Sequence, residues 1–220
     1  MQLFLSLANL VLSPLIASFI AGGGNALGFI IGADPLWVLA VWAIGIAGAS
    51  FLLALISGDC SQTDRLWSVA PVLYAAFLAW RSAISPAGAG PLTWLMFTLV
   101  LAWGARLTFN FARRGGYRRI EDFRREILRK RIHYRVLWEL FNLGFIAFFQ
   151  HAIILAIVLP MLVLFQPGAP AFGWPELAIG LLMVCSLVLE TVSDQQMWNF
   201  QERKRKASEA GLPAPQGAFI

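Results

Sequence analysis

The chain has 220 residues, of which 59% are hydrophobic and 13% charged, with a formal net charge of +5. Soluble domains carry about 25% charged residues, so this composition excludes an ordinary soluble globular protein and indicates an integral membrane protein. A single membrane domain, 1–220, accounts for the whole length. Cys60 and Cys185 lie in unrelated segments without metal-ligand or redox spacing, so we expect neither a disulfide framework nor a metal site.

Six apolar segments approach the ~20 residues that a bilayer-spanning helix needs. They lie near 3–22, 36–56, 66–80, 92–112, 142–165 and 175–198. Glycine- and proline-rich stretches at 85–91 and 167–170 separate the later segments. The N-terminus lacks a basic region, so we interpret the first segment as a spanning helix and not as a cleaved signal peptide. The sequence predicts an all-α, polytopic helical membrane bundle of about six transmembrane helices.

The basic residues predict the orientation of these helices. Segment 113–135 holds ten of the 17 lysines and arginines, and a second cluster lies at 203–206. An even number of spans separates the two clusters, so the positive-inside rule places both in the cytoplasm, together with the N-terminus. We expect a bacterial inner-membrane protein with cytoplasmic basic loops.

The basic segment 113–135 also has an amphipathic pattern. Apolar side chains recur at roughly helical spacing between arginines, namely Ile120, Phe123, Ile127, Tyr134, Trp138 and Phe141. This pattern predicts a cytoplasmic amphipathic helix lying on the membrane surface, and it fits a lipid bilayer better than a nucleic-acid groove. The cluster either anchors the chain on anionic lipid or, in part, holds a phosphorylated cofactor, because the planar guanidinium suits phosphate.

Two acids lie inside the last apolar segment. Glu190 and Asp194 are four residues apart and therefore share a helix face. An ionisable residue at membrane depth costs about 2.5–3.5 kcal/mol on insertion scales, so two on one face indicate binding or chemistry.

Other polar residues occupy the cytoplasmic ends of other spans: Asp64, Arg65, Arg106, Asn110, Gln150 and His151. A shared water-filled pocket open to the cytoplasm would explain them together. Each also has a structural explanation. Arg106 could pair with Glu190 or Asp194 as an ion pair alone, His151 could be a satisfied interior histidine, and Asp64 could cap a helix.

Three stretches carry a resemblance to a known family. They read Ser-Gln-Thr-Asp-Arg-Leu-Trp-Ser-Val-Ala-Pro at 61–71, Arg-Leu-Thr-Phe-Asn-Phe-Ala-Arg-Arg-Gly-Gly-Tyr at 106–117, and Glu-Thr-Val-Ser-Asp-Gln-Gln-Met-Trp-Asn-Phe-Gln at 190–201. Together they resemble the membrane reductases related to steroid 5-alpha-reductases, especially bacterial members of undefined substrate. The resemblance covers most of the chain from about residue 60.

This resemblance implies an NADPH-dependent reduction of a carbon–carbon double bond conjugated to a carbonyl in a lipophilic, steroid- or isoprenoid-like substrate. The residues matched to the cofactor side are Arg106, Asn110, Arg113, Arg124, Asp194 and Gln195. The candidates for catalysis are Asp64, His151 and Glu190. The reaction needs a hydride from the nicotinamide and a donor that polarises the carbonyl oxygen.

The sequence departs from the family pattern in two places. Trp103 lies three residues before Arg106, where the steroid enzymes carry a tyrosine, and this counts against a 3-oxo-steroid substrate. Family members also continue into a Ser-Arg-His-Pro-Asn-Tyr stretch and a helical hairpin, so we expect this chain to be the N-terminal portion of a longer reductase. Two other functions remain open, a membrane methyltransferase related to those acting on isoprenylated cysteine and a non-catalytic scaffold or transporter.

Overall fold

A computed structural model describes residues 13–14, 16–17, 20, 23–117, 123–166, 168 and 170–213, excluding the side chains of 123, 124 and 126. Every regular element in these ranges is helical. In chain order the elements are α1 (Ala26–Gly32), α2 (Pro35–Ser57), α3 (Gln62–Leu66), α4 (Val69–Ala83), α5 (Pro91–Arg113), α6 (Phe123–Arg131), α7 (Arg135–Ala156), a 3₁₀ helix (Leu159–Phe165) and α8 (Trp174–Glu209). Within α7, the segment Asn142–Phe149 is π-helical.

The all-α membrane bundle predicted from the sequence is confirmed. Four of the described helices, α2, α5, α7 and α8, are long and apolar enough to cross a membrane. The apolar helix α4 is shorter, with 15 residues. Most of the predicted first span, 3–22, lies outside the described residues.

Three predicted spans have different boundaries in the structure. The third begins and ends three residues later than predicted, since α4 runs from Val69 to Ala83. The fifth begins seven residues before its predicted start and leaves α-helical geometry after Ala156. Pro160 accounts for that change, because proline lacks an N–H and its ring disfavours a continuing α-helix. The sixth continues as α8 to Glu209, well beyond its apolar part.

The predicted amphipathic helix is also shorter than expected. The described part, α6, ends at Arg131, residues 132–134 are not helical, and α7 begins at Arg135. Trp138 and Phe141 therefore belong to a different helix from Ile127. This break allows the guanidinium of Arg129 to lie over the Trp138 ring, 4.9 Å from its centroid.

Local signals position the ends of α2. The side chain of Asp34 accepts a hydrogen bond from the Leu36 amide at 2.8 Å, and Pro35 occupies the first turn. Both features are typical of helix N-termini. The helix ends at Gly58, whose φ of 69° is the left-handed conformation that glycine adopts without strain. These signals place the polar loop that follows α2 at one end of the bundle.

The centre of the bundle is α4. Tyr74, Ala75 and Leu78 are fully buried and pack against residues of α1, α2, α7 and the 3₁₀ helix. Helix α5 packs along α4, and α8 in turn packs along α5. The polar ends of α5 and α8 therefore face each other at the edge of the bundle.

The close approach of α5 to α4 depends on Gly104. A Cβ atom at this position would lie 2.3 Å from Cγ2 of Val72 and 2.8 Å from the carbonyl oxygen of Ser68. We expect Gly104→Ala to destabilise the protein by about 1–3 kcal/mol through this overlap. Thermal unfolding in detergent measures the effect.

Gly45→Ala in α2 is the matched control, because a Cβ atom there meets nothing within 4 Å. Alanine is favoured over glycine inside a helix by about 1 kcal/mol, so the control should keep or raise the melting temperature. Equal losses in both variants would show that the α4–α5 contact is not as tight as described.

Candidate functional site

The sequence-predicted polar residues of α5 and α8 meet in one cluster, which we call the α5–α8 cluster (Arg106, Asn110, Glu190 and Asp194). Arg106 Nη2 lies 2.7 Å from Glu190 Oε2, and Arg106 Nη1 lies 2.5 Å from Asp194 Oδ2. Asn110 Nδ2 donates to the same Asp194 oxygen at 2.5 Å. Two residues one turn apart on α5 thus face two residues one turn apart on α8.

The α5–α8 cluster contains two carboxylates and one cation. The Arg106 guanidinium faces two carboxylates, and the next cation, Arg114, lies 3.8 Å from Asp194. The Arg106 side chain is 15% exposed and that of Asp194 is 27% exposed, whereas Glu190 is half exposed. Arg106 is therefore the central group of the cluster, and Glu190 lies at its open side.

Arg113 extends the cluster by one turn of α5. Its Nη1 donates to Gln195 Oε1 at 2.8 Å and its Nη2 donates to the Asp194 carbonyl oxygen at 3.2 Å. Its guanidinium lies over the rings of Phe109 and Trp198, 5.3 and 4.9 Å from their centroids. Hydrogen bonds and cation–π contacts together fix the orientation of this planar cation.

A cleft of about 660 Å³ opens beside Arg113, between the ends of α5 and α8. Its lining contains three arginines, one carboxylate and one large aromatic ring, namely Arg113, Arg114, Arg205, Glu202 and Trp198, with Met197 and Gln201. The lining therefore carries net positive charge. An anionic group with a flat ring system matches this combination, since arginine donates to phosphate oxygens and aromatic faces stack on planar groups.

Asp64 lies in a different cavity. Arg125 Nη2 of α6 donates to Asp64 Oδ1 of α3 at 2.7 Å. A cavity of about 240 Å³ adjoins this pair, with Gln150 and an aromatic wall of Trp138, Phe141 and Phe145. Arg125 is buried, and its Nη1 has no hydrogen-bond partner among the described residues. Apolar walls with a few convergent polar groups are typical of small-molecule sites.

A hydrogen bond connects the surroundings of the Asp64–Arg125 pair with those of the α5–α8 cluster. Ser68, in the connection that follows α3, shares a 2.7 Å hydrogen bond with Thr108 of α5. Thr108 lies between Arg106 and Asn110 in the sequence, and Ser68 follows Asp64 by one turn. The bond thus ties the helix end that carries Asp64 to the helix that carries the α5–α8 cluster.

The loop before α3 is held by Asp59. Its carboxylate accepts from the Ser61 amide at 2.8 Å and from Arg65 Nη2 at 2.9 Å. Partial burial raises the pKa of Asp59, but the hydrogen bonds from Ser61 and the charge of Arg65 outweigh it and keep this pKa below its ordinary value. An ionised Asp59 therefore fixes the start of α3, on which Asp64 lies.

His151 lies apart from both sites. It is almost fully buried in α7, and its Nδ1 is 2.8 Å from the Ala147 carbonyl oxygen, so Nδ1 carries the proton. Its imidazole lines a small cavity of about 150 Å³ beside Ala40, Ala43 and Ala47 of α2. The single shared pocket predicted from the sequence is therefore divided among three places, because α7 packs on α2 and α4 while α8 packs on α5.

The structure brings together six of the nine candidates: Arg106, Asn110, Arg113, Glu190, Asp194 and Gln195. Asp64 and His151 lie elsewhere, and the side chain of Arg124 is outside the described residues. Trp198 and Arg205 of the cleft lining are not among the residues predicted from the sequence. Their spacing from Asp194, one turn and three turns along α8, could have identified both. Nothing in the arginine-rich segment distinguishes Arg125 from its neighbours.

Comparison with known proteins gives two matches that bear on this site. Over residues 50–217 the sequence matches the family described as "Protein of unknown function (DUF1295)". It is also 30% identical over 184 residues to an uncharacterised protein of Schizosaccharomyces pombe. That alignment covers 82% of this chain and 48% of the yeast protein, so the chain spans about half the length of the curated relative it matches. No solved structure matches the chain.

The matched range contains the α5–α8 cluster, the arginine-lined cleft and the Asp64–Arg125 pair. Since it covers most of the chain, this protein belongs to the DUF1295 family, a steroid 5-alpha-reductase-like family.

Proposed function

We propose that this protein is an NADPH-dependent membrane reductase that saturates a carbon–carbon double bond conjugated to a carbonyl in a lipophilic substrate. The observation that carries the proposal is the α5–α8 cluster, which adjoins the arginine-lined cleft at the ends of two spanning helices. Membership of a steroid 5-alpha-reductase-like family supports the same reaction class.

The lining of the cleft fits NADPH. Arg113 and Arg114 are suited to its phosphates, and Trp198 offers a ring face to a planar base. Arg205 lines the same cleft but pairs with Glu202 and Glu209. The volume of about 660 Å³ lies within the range of about 300–1,000 Å³ that ligand pockets occupy. Bound NADPH would supply the hydride for the reduction, which requires its nicotinamide to reach from this cleft to the acceptor carbon of the substrate.

The protein's own contribution would be to orient the two reactants and stabilise charge. Asp194 and Glu190 hold Arg106 in place, and Asp194 and Gln195 hold Arg113 at the cleft. In the aromatic cavity, Nη1 of Arg125, which has no hydrogen-bond partner within the described part of the chain, is suited to donate to a substrate carbonyl oxygen. Such a donor stabilises the negative charge that develops on that oxygen during reduction.

The aromatic walls of this cavity favour a flat, lipophilic substrate entering from the bilayer. In this proposal Asp64 positions Arg125, Glu190 positions Arg106, and His151 has no part in the reaction. In this proposal the protein lies in a bacterial inner membrane with its basic segments on the cytoplasmic side. The cleft then opens to the compartment that contains NADPH.

Replacing Asp194 with asparagine tests this proposal. The substitution keeps the size of the side chain but removes the charge that holds Arg106 and that lies 3.8 Å from Arg114 of the cleft lining. We expect at least a tenfold loss of NADPH affinity, about 1.4 kcal/mol, in a protein that remains folded. Calorimetric titration of the detergent-purified protein measures the affinity, and circular dichroism measures the helical content.

Glu176→Gln is the matched control, an acid-to-amide change at the opposite end of the same helix, where the amide oxygen can still accept from the Gly173 N–H group. It should leave NADPH affinity unchanged. A scaffold or transporter would behave differently, because Asp194→Asn would then lower stability while the unmodified protein shows no NADPH binding at all.

A further inference from the structure

The break between α6 and α7 creates a second basic cavity, which we call the α6–α7 cavity. It has a volume of about 360 Å³ and faces the C-terminal end of α2. Its lining contains the charged residues Arg129, Arg135 and Glu139, together with His133. Trp138 separates it from the Asp64–Arg125 cavity, since its ring contributes to both walls. The proposed reduction uses none of these charged groups.

The geometry of this cavity favours an anion. Arg129 is held in place by the Gly58 carbonyl oxygen at 3.1 Å and by the face of the Trp138 ring at 4.9 Å. His133 Nδ1 donates to the Arg131 carbonyl oxygen at 2.9 Å, which fixes the orientation of its ring. No carboxylate in the described part of the chain pairs with Arg135, and Glu139 is the one acid among the described residues that line the cavity. These described lining residues therefore carry a net positive formal charge.

The surroundings of the cavity are apolar and exposed. Ile56 at the end of α2 is 83% exposed and Val136 at the start of α7 is 72% exposed, and Leu55, Leu137 and Leu140 are also exposed. In a spanning protein such side chains contact lipid acyl chains. Because the cavity lies at the end of the spanning helix α2, it is placed at the level of the lipid headgroups.

We propose that the α6–α7 cavity binds the phosphate of an anionic phospholipid, with Arg129 and Arg135 donating to the phosphate oxygens. The planar guanidinium matches phosphate in shape as well as charge. The exposed leucines, isoleucine and valine around the rim contact the acyl chains of the same lipid. This site is distinct from the α5–α8 cleft, because it lies on other helices, and it shares Trp138 with the proposed substrate cavity.

The proposal is tested by titrating the purified protein, in a neutral detergent, with phosphatidylglycerol, phosphatidylcholine or inorganic phosphate. Native mass spectrometry measures the bound lipid, and the melting temperature is followed in parallel. We expect phosphatidylglycerol to be retained at least tenfold better than phosphatidylcholine and to raise the melting temperature. Equal retention of the two lipids would overturn the proposal. Stabilisation by inorganic phosphate as strong as that by phosphatidylglycerol would also overturn it, in favour of a free-anion site.

Arg129→Gln/Arg135→Gln should reduce phosphatidylglycerol retention at least tenfold. The matched control is Arg203→Gln/Lys204→Gln, which removes two exposed cations at the end of α8. An equal loss in the control would show general surface attraction and would overturn the assignment, as would full retention in the test variant. Because Arg129 also contacts Gly58 and Trp138, Arg135→Gln alone is the second variant. It should reduce phosphatidylglycerol retention at least threefold and leave the circular dichroism spectrum unchanged.

Discussion

Replacing Arg106 with methionine is expected to lower the free energy of unfolding by about 3 kcal/mol, because it leaves Glu190 and Asp194 facing each other without their shared cation. Removing one partner of a buried pair costs about 3–5 kcal/mol, and the half-exposed Glu190 argues for the lower end of that range. Unfolding in mixed micelles, followed by tryptophan fluorescence, measures the change.

Two further variants identify the cause of this loss. Arg106→Met/Glu190→Gln/Asp194→Asn should recover most of the lost stability, since no uncompensated carboxylate remains. Arg205→Met removes an exposed arginine that pairs with Glu202 and Glu209, and it should cost less than about 1 kcal/mol. If Arg106→Met were as mild as Arg205→Met, the α5–α8 cluster would not be the partly buried ion-pair network described.

Replacing Arg125 with glutamine is expected to reduce kcat by about 10²–10³, the typical effect of removing one donor to a developing oxyanion. NADPH affinity should change by less than about twofold, because Arg125 lies in the aromatic cavity and not in the arginine-lined cleft. The measurement is the disappearance of NADPH absorbance with a lipophilic enone that the unmodified protein reduces.

Arg131→Gln is the control for that experiment, an exposed arginine near the end of the same helix α6. It should retain the kcat of the unmodified protein. If Arg125→Gln reduced NADPH affinity and left kcat intact, Arg125 would belong to cofactor binding, and the assignment of the aromatic cavity to the substrate would be wrong.

The sequence predicts the spans α2 and α5 to within about a residue because their limits carry strong local signals. Pro35 follows a capping aspartate, Gly58 ends α2 in a left-handed conformation, and Pro91 begins α5. The start of α7 has no such signal. Its first turns are partly polar and lie outside the apolar window, so hydropathy places the helix start too late. The π-helical segment Asn142–Phe149 is uniformly apolar, so its sequence pattern carries no signal of the altered hydrogen bonding.

The α5–α8 cluster could be predicted because charges in spanning helices need partners at the same depth. The predicted directions of their helices place Arg106 and Asp194 at the same depth, so the two side chains were expected to be able to pair. The pairing of Asp64 with Arg125 could not be predicted in this way. It depends on how α6 packs against α3. Charge alone would allow any of several neighbouring arginines to pair with Asp64. The separate position of His151 likewise follows from packing between helices, which periodicity within one helix does not report.

The most direct test of the central proposal is a calorimetric titration of the natively expressed, detergent-purified protein with NADPH and, separately, with S-adenosylmethionine. We expect saturable binding of NADPH and none of S-adenosylmethionine, because the arginine-lined cleft suits a cofactor that carries several phosphates. Binding of S-adenosylmethionine without NADPH would contradict the proposal and indicate the methyltransferase class. Binding of neither would indicate that the α5–α8 cluster serves a scaffold or a transporter.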